Sequence, residues 1–117
     1  MRALVVKATA GEDAPERCFQ ALTVASVAAA SGVTVSLWLT GESVWLATPG
    51  RDLELAASPP ASELLAAVLS LGTVTVCTQC ATRRSLTQDE LLAGVRIAGA
   101  AAYVAEVLAD EVQALVY

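Results

Sequence analysis

The sequence predicts an α/β layer fold with a mostly parallel sheet, on three observations. Short runs rich in β-formers alternate with helical stripes along the whole chain, the pattern of repeated strand–helix units. Start and stop signals fall where the strands and helices should change over. The composition is strongly apolar: 56% hydrophobic and 16% charged residues, against about 45–50% and about 25% in typical soluble domains. That excludes intrinsic disorder and predicts apolar surface buried against another subunit. At 117 residues the chain has the size of one domain, read as residues 1–117.

Ala3–Lys7 is a short apolar run and forms strand one, broken by Thr9-Ala10-Gly11. Helix one follows over Ala14–Ala30, with Asp13 as its cap, Pro15 in its first turn and Glu16 where a capping box places its acid. Cys18, Leu22, Ala25 and Ala29 make its buried stripe. Val33, Val35, Leu37 and Leu39 alternate with Thr34, Ser36 and Trp38, the signature of strand two. No charge occurs between Arg17 and Glu42, a stretch long enough to span a bilayer. Its polar residues and the Ser31-Gly32 stop split it into helix, turn and strand instead.

Val44–Ala47 is a short apolar turn or helix, and the Pro-rich stretch Thr48–Pro60 is a loop. Ser62–Leu71 is a helix ended by Gly72. Thr73–Val76 is strand three, which delivers Cys77 at its carboxyl end, and Cys77–Arg84 turns into a short helix. Thr87 to Glu90 reads as another capped start. Val95–Ile97 is a short strand, Gly99–Ala109 an Ala-rich helix with Ala101, Val104 and Leu108 in register, and Val112–Tyr117 the last strand.

Charge and histidine content exclude whole classes of function. Seven basic against twelve acidic residues give a net charge of −5, and only Arg83-Arg84 pairs two basic residues, so no nucleic-acid partner is expected. There is no histidine, which removes Ser-His-Asp and Cys-His catalysis and every histidine metal site. Three cysteines, Cys18, Cys77 and Cys80, are too few for a disulfide-stapled scaffold. The apolar run at the N-terminus is too short for a signal-peptide core. The expectation is a cytoplasmic, reducing location with no membrane partner.

Sites in open α/β sheets lie beyond the carboxyl ends of the strands, which singles out Cys77. A following helix N-terminus and the nearby cations Arg83 and Arg84 would lower its thiol pKa. Alternatively, Cys77 and Cys80 are small buried hydrophobes. Cys18, in mid-stripe, reads as core. The Cys77-x-x-Cys80 spacing also allows a dithiol redox pair, or half of a zinc site completed across a subunit interface, which needs four N/S ligands. Glu12, Asp13 and Glu16 read as helix caps, Glu42 and Ser43 as an edge of the cleft. Trp38, Trp45 and Leu46 read as contributors to an apolar subunit interface, together with strand two.

Several segments resemble one family. Gly11-x-Asp13-x-Pro15-Glu16-Arg17, Ala21-Leu22, Ala25 and Gly32-Val33-Thr34-Val35 are similar to the opening of the DsrE/DsrF-like proteins, the DsrEFH superfamily related to TusD. So are Leu39-Thr40-Gly41-Glu42-Ser43-Val44, then Val76-Cys77 with Ala81-Thr82-Arg83-Arg84, and Gly94-Val95-x-Ile97-Ala98-Gly99-Ala100-Ala101. Ser85 departs from the pattern, standing where Gly commonly follows the arginine.

The resemblance implies a three-layer α/β/α fold with a five-stranded, mostly parallel sheet. It implies a homo-oligomer, a trimer or hexamer, and a sulfur carrier that accepts sulfane sulfur as a persulfide on Cys77. Cys77 would pass that sulfur to a partner protein's cysteine, so sulfur donor and acceptor proteins are the expected partners. Cys80, Arg83, Arg84, Gly11 and Glu42 count as supporting residues, and no cofactor or metal is needed. If the chain is an enzyme, it is a sulfurtransferase-like persulfide relay. The other readings are a non-enzymatic oligomeric binding or assembly subunit with structural cysteines, and a Cys77/Cys80 dithiol redox protein.

Overall fold

A computed structural model describes residues 2–117. Five strands, β1 (Ala3–Ala8), β2 (Thr34–Leu39), β3 (Thr73–Cys77), β4 (Arg96–Ala98) and β5 (Val112–Val116), form one sheet. Their order is β4-β3-β2-β1-β5 and every pairing is parallel. Four α-helices fill the crossovers: α1 (Pro15–Ala30), α2 (Ala61–Leu71), α3 (Thr78–Arg83) and α4 (Ala100–Val107). The expected α/β architecture is present, and all five strands deliver their carboxyl ends to one rim.

The two faces of the sheet are built differently. Val6, Ala8, Val35, Leu37, Leu39, Val74 and Val76 point to one face, where they join Cys18, Leu22, Ala25 and Ala29 of α1 and Leu64, Leu65 and Val68 of α2 in the main core. Each of these residues is buried, as the stripes of the sequence predict. The other face carries Val5, Lys7, Ser36, Trp38, Thr75 and Arg96, which the parallel register brings level. Here α4 is fastened by polar bonds. The Glu106 carboxylate accepts from Ser36 Oγ at 2.5 Å and from Trp38 Nε1 at 3.1 Å, and it pairs with Arg96. Tyr103 meets Trp38 edge-on, ring centroids 5.3 Å apart.

That arrangement corrects the expected inner stripe of the last helix. Ala101 is exposed, and Val104 and Leu108 are 49% and 76% exposed. The helix turns Tyr103 and Glu106 inward because the sheet beneath presents a buried indole N–H and a hydroxyl, which need an acceptor. A second correction concerns strand two. It is the middle strand of five and is covered on both faces, so Trp38 is 1% exposed and Leu46 is buried. Neither is surface for another subunit, and Trp45 lies partly buried beneath the Arg51 guanidinium, 4.2 Å from its ring centre. Among the described residues the exposed large apolar ones are Val27, Leu71, Val104, Leu108 and Val116.

Two helix starts also differ from the sequence expectation. Asp13 does not cap α1; its Oδ1 accepts the Gly11 N–H at 2.8 Å, and Ala14 takes the cap position with no side-chain bond. The box at Thr87 and Glu90 does form, but it caps only a 3-10 turn, Gln88–Glu90. Among the described residues no helix is long and apolar enough to cross a membrane.

Candidate functional site

The rim at the strand carboxyl ends gathers Cys77, Cys80, Arg83, Arg84, Gly41 and Glu42. Cys77 ends β3 in extended backbone and is the N-cap of α3, so Cys80 sits in the first turn. Cys77 is half-buried, whereas Cys80 is only 8% exposed. Burial alone would push the Cys77 thiol up. The backbone N–H and the thiol of Cys80, the backbone N–H of Gln79 and the charge of Lys7 outweigh it and hold the thiol below its ordinary value.

The acting cation is thus Lys7 rather than the two arginines of the sequence expectation. Lys7 reaches from β1 on the same face as Cys77, with its ammonium 4.8 Å from the centre of the Tyr103 ring. Arg84 is committed elsewhere: Nε and Nη2 each lie 2.9 Å from Glu42 Oε2, and Nη1 donates to the Cys80 carbonyl at 3.0 Å. It ties α3 to the segment after β2. Arg83 Nη1 stands 4.0 Å from the Cys80 sulfur, which also accepts the Gly41 N–H at 3.2 Å.

Local backbone holds these donors in place. Gly41 opens a 3-10 segment, Gly41–Ala47, with φ of +59°, and a Cβ there would stand 2.9 Å from the Thr9 carbonyl oxygen. At Gly11 an added Cβ would meet the Glu42 carbonyl oxygen at 2.6 Å. Gly11 therefore lets the loop after β1 lie against the segment after β2, one contact removed from Cys77. Helix α3 ends in a Schellman turn: Leu86 N–H reaches the Ala81 carbonyl at 2.9 Å and Ser85 N–H the Thr82 carbonyl at 3.1 Å. Ser85 has φ of +55°, the left-handed conformation that glycine adopts most readily. The departure noted in the sequence falls on the one residue of this turn that favours Gly.

The other candidates lie apart. Glu12, Asp13 and Glu16 are exposed. Cys18 is fully buried, and burial with the nearby Asp13 charge pushes its thiol up to about 11. Two grooves, of about 410 Å³ and 460 Å³, lie elsewhere. The first is lined by Phe19, Thr23, Leu55 and Tyr117, the second by Val5, Thr34, Leu71 and Glu106 at the amino ends of the strands. Among the described residues no group of three or more potential ligands could hold a metal ion. Lys7 escaped the sequence reading because it lies 70 positions from Cys77. The signal was a charged residue at the end of an apolar strand, opposite in parity to Val6 and Ala8.

Comparison with known proteins agrees with this architecture. YchN from E. coli superposes with a TM-score of 0.84 at 19% identity, covering 100% of both chains. MTH1491 from Methanobacterium thermoautotrophicum, a protein of unknown function, gives 0.77 at 10% identity over 100% of both. BT1422 from Bacteroides thetaiotaomicron, also of unknown function, gives 0.63 at 14% identity, covering 98% of this chain and 94% of that one. These likenesses show the fold alone. No curated protein matches the chain. The profile of the DsrE/DsrF-like family matches residues 2–113, nearly the full length, and the chain belongs to that family.

Proposed function

We propose that the protein is a sulfur carrier that takes sulfane sulfur as a persulfide on Cys77 and hands it to a cysteine of a partner protein. The family is consistent with a sulfur-relay role. The observation that carries the reading is the setting of Cys77: a half-buried thiol at the carboxyl end of β3 and the start of α3, on the same sheet face as Lys7, and held below its ordinary value. Thiolate, not thiol, attacks a sulfur–sulfur bond, so a cysteine held in its charged form is what the chemistry needs. No histidine or cofactor enters the step. The Cys77 thiolate attacks the outer sulfur of a donor persulfide, the donor sulfur leaves as thiolate, and the reverse attack by an acceptor thiolate unloads Cys77. Arg84, Glu42 and Gly11 keep the rim in shape, and Arg83 borders the sulfur of the neighbouring Cys80.

Whole-protein mass spectrometry after incubation with a persulfide donor tests this. The protein should gain about 32 Da, one sulfur atom, and Cys77→Ser should gain nothing. A wild type that stays unmodified, or an adduct that survives in Cys77→Ser, overturns the proposal.

The same reading includes a reducing, cytoplasmic setting, in which the free cysteines stay reduced. It also includes a homo-oligomer, a trimer or hexamer. The support is the apolar excess of the composition and the pair Val104 and Leu108, four positions apart on the outer side of α4 and both exposed. Light scattering should return a multiple of the 12.0 kDa chain mass.

A further inference from the structure

We propose a second activity for the same rim: Cys80 discharges the sulfur carried by Cys77 as hydrosulfide, leaving a Cys77–Cys80 disulfide. The inference rests on the reading of Cys77 as a persulfide carrier and goes beyond it, because a simple relay needs one cysteine only.

Three observations carry it. First, the two thiols are the N-cap and the third residue of one short helix, three positions apart on the same turn and at the same rim. An attack from Cys80 on the inner sulfur of the persulfide that would form closes a disulfide rather than moving the outer sulfur along. Second, exposure differs between the pair. Cys77 is half-buried and Cys80 is only 8% exposed, so a donor reaches Cys77 and Cys80 stays reduced behind it. Third, the Cys80 sulfur has two donors of its own, the Gly41 N–H at 3.2 Å and Arg83 Nη1 at 4.0 Å. They fix where the Cys80 sulfur sits at the rim.

The step balances without an outside reagent. The Cys80 sulfur, giving up its proton, bonds to Cys77 Sγ, and the bond from Cys77 Sγ to the outer sulfur breaks. The outer sulfur leaves with the electron pair as hydrosulfide and takes up the proton. Cys80 is oxidised to the disulfide level and the sulfane sulfur is reduced to sulfide. Resetting the pair then takes a dithiol reductant. In a relay this sets a time limit: sulfur not collected by an acceptor is released and the carrier is parked in an unreactive form.

The test loads wild type, Cys80→Ala and Cys80→Ser with cysteine persulfide, removes the donor by desalting, and follows protein mass and trapped sulfide. Wild type should lose its adduct, release one sulfide per chain and end about 2 Da lighter than the reduced protein. Peptide mapping should then find Cys77 linked to Cys80. Both variants should hold the adduct at least about tenfold longer. A wild type that keeps the adduct as long as the variants and releases no sulfide overturns the discharge and leaves the carrier reading standing. Failure of all three proteins to gain the adduct overturns the carrier reading. If neither variant folds, the wild-type sulfide yield and the disulfide map still decide.

Discussion

The α1/α2 face of the sheet and the α4 face reach the same end by opposite means. On the first, Leu22, Leu37, Leu65 and Val74 interlock with no polar atom among their side chains. On the second, one carboxylate, Glu106, gathers a hydroxyl, an indole N–H and a guanidinium, and α4 leaves its apolar side to solvent. An apolar face tolerates small shifts, because burial is roughly proportional to area and has no direction. A face held by one acceptor is directional and depends on ionisation. The side of the sheet that carries Lys7, and ends in Cys77, is the directional one.

The largest effect should come from the apolar face. Leu22→Ala, at a fully buried position, should cost about 2–5 kcal/mol of unfolding free energy, read by urea denaturation. A smaller loss would mean that α1 packs less tightly than its burial implies. On the other face, Glu106→Gln should cost about 1–3 kcal/mol at neutral pH, since the carboxylate's charge-assisted bonds are lost.

That variant also has a pH signature. Burial opposes the Glu106 charge, but the bonds from Ser36, Trp38 and Arg96 and the Arg96 charge outweigh it and hold the carboxyl below its ordinary value. A lowered folded pKa gives stability that is complete above the unfolded value and drains away as pH falls through the folded one. The acid limb of the wild-type stability curve should therefore flatten in Glu106→Gln. An unchanged limb would show that the α4 face does not depend on that ionisation.

Cys77 offers a sharper comparison. Removing the Lys7 charge with Lys7→Met should raise the Cys77 thiol and slow its alkylation severalfold at neutral pH, while Lys7→Arg should keep the wild-type pH profile. A Lys7→Met profile that overlays wild type would leave only the hydrogen bonds of Gln79 and Cys80 acting on the sulfur. The smallest effect concerns the end of α3. Ser85→Gly relieves a left-handed φ and should stabilise the protein by up to about 1 kcal/mol, visible as a small rise in Tm.

These contrasts explain what was legible in the sequence. The stripe Cys18, Leu22, Ala25 and Ala29 and the alternation of Val35, Leu37 and Leu39 mark the apolar face, because hydrophobic period is a local signal. Cys77 was legible for the same reason: it follows a β-rich run directly. The inward face of α4 was not. Period alone favours Val104 and Leu108, and only the indole of Trp38, some 65 positions earlier, explains why Tyr103 and Glu106 turn in. Lys7 and the clasp of Arg84 on Glu42 were hidden likewise, since each depends on which strands the topology sets side by side.

The close approach at Gly11 has a dynamic side. With the Glu42 carbonyl filling the space of a side chain there, the loop leaving β1 and the turn leaving β2 share one contact surface. Gly41, whose N–H touches the Cys80 sulfur, belongs to that surface. Its donor is ordered when the chain folds, not each time a sulfur atom arrives, so an encounter at this rim carries little reorganisation entropy.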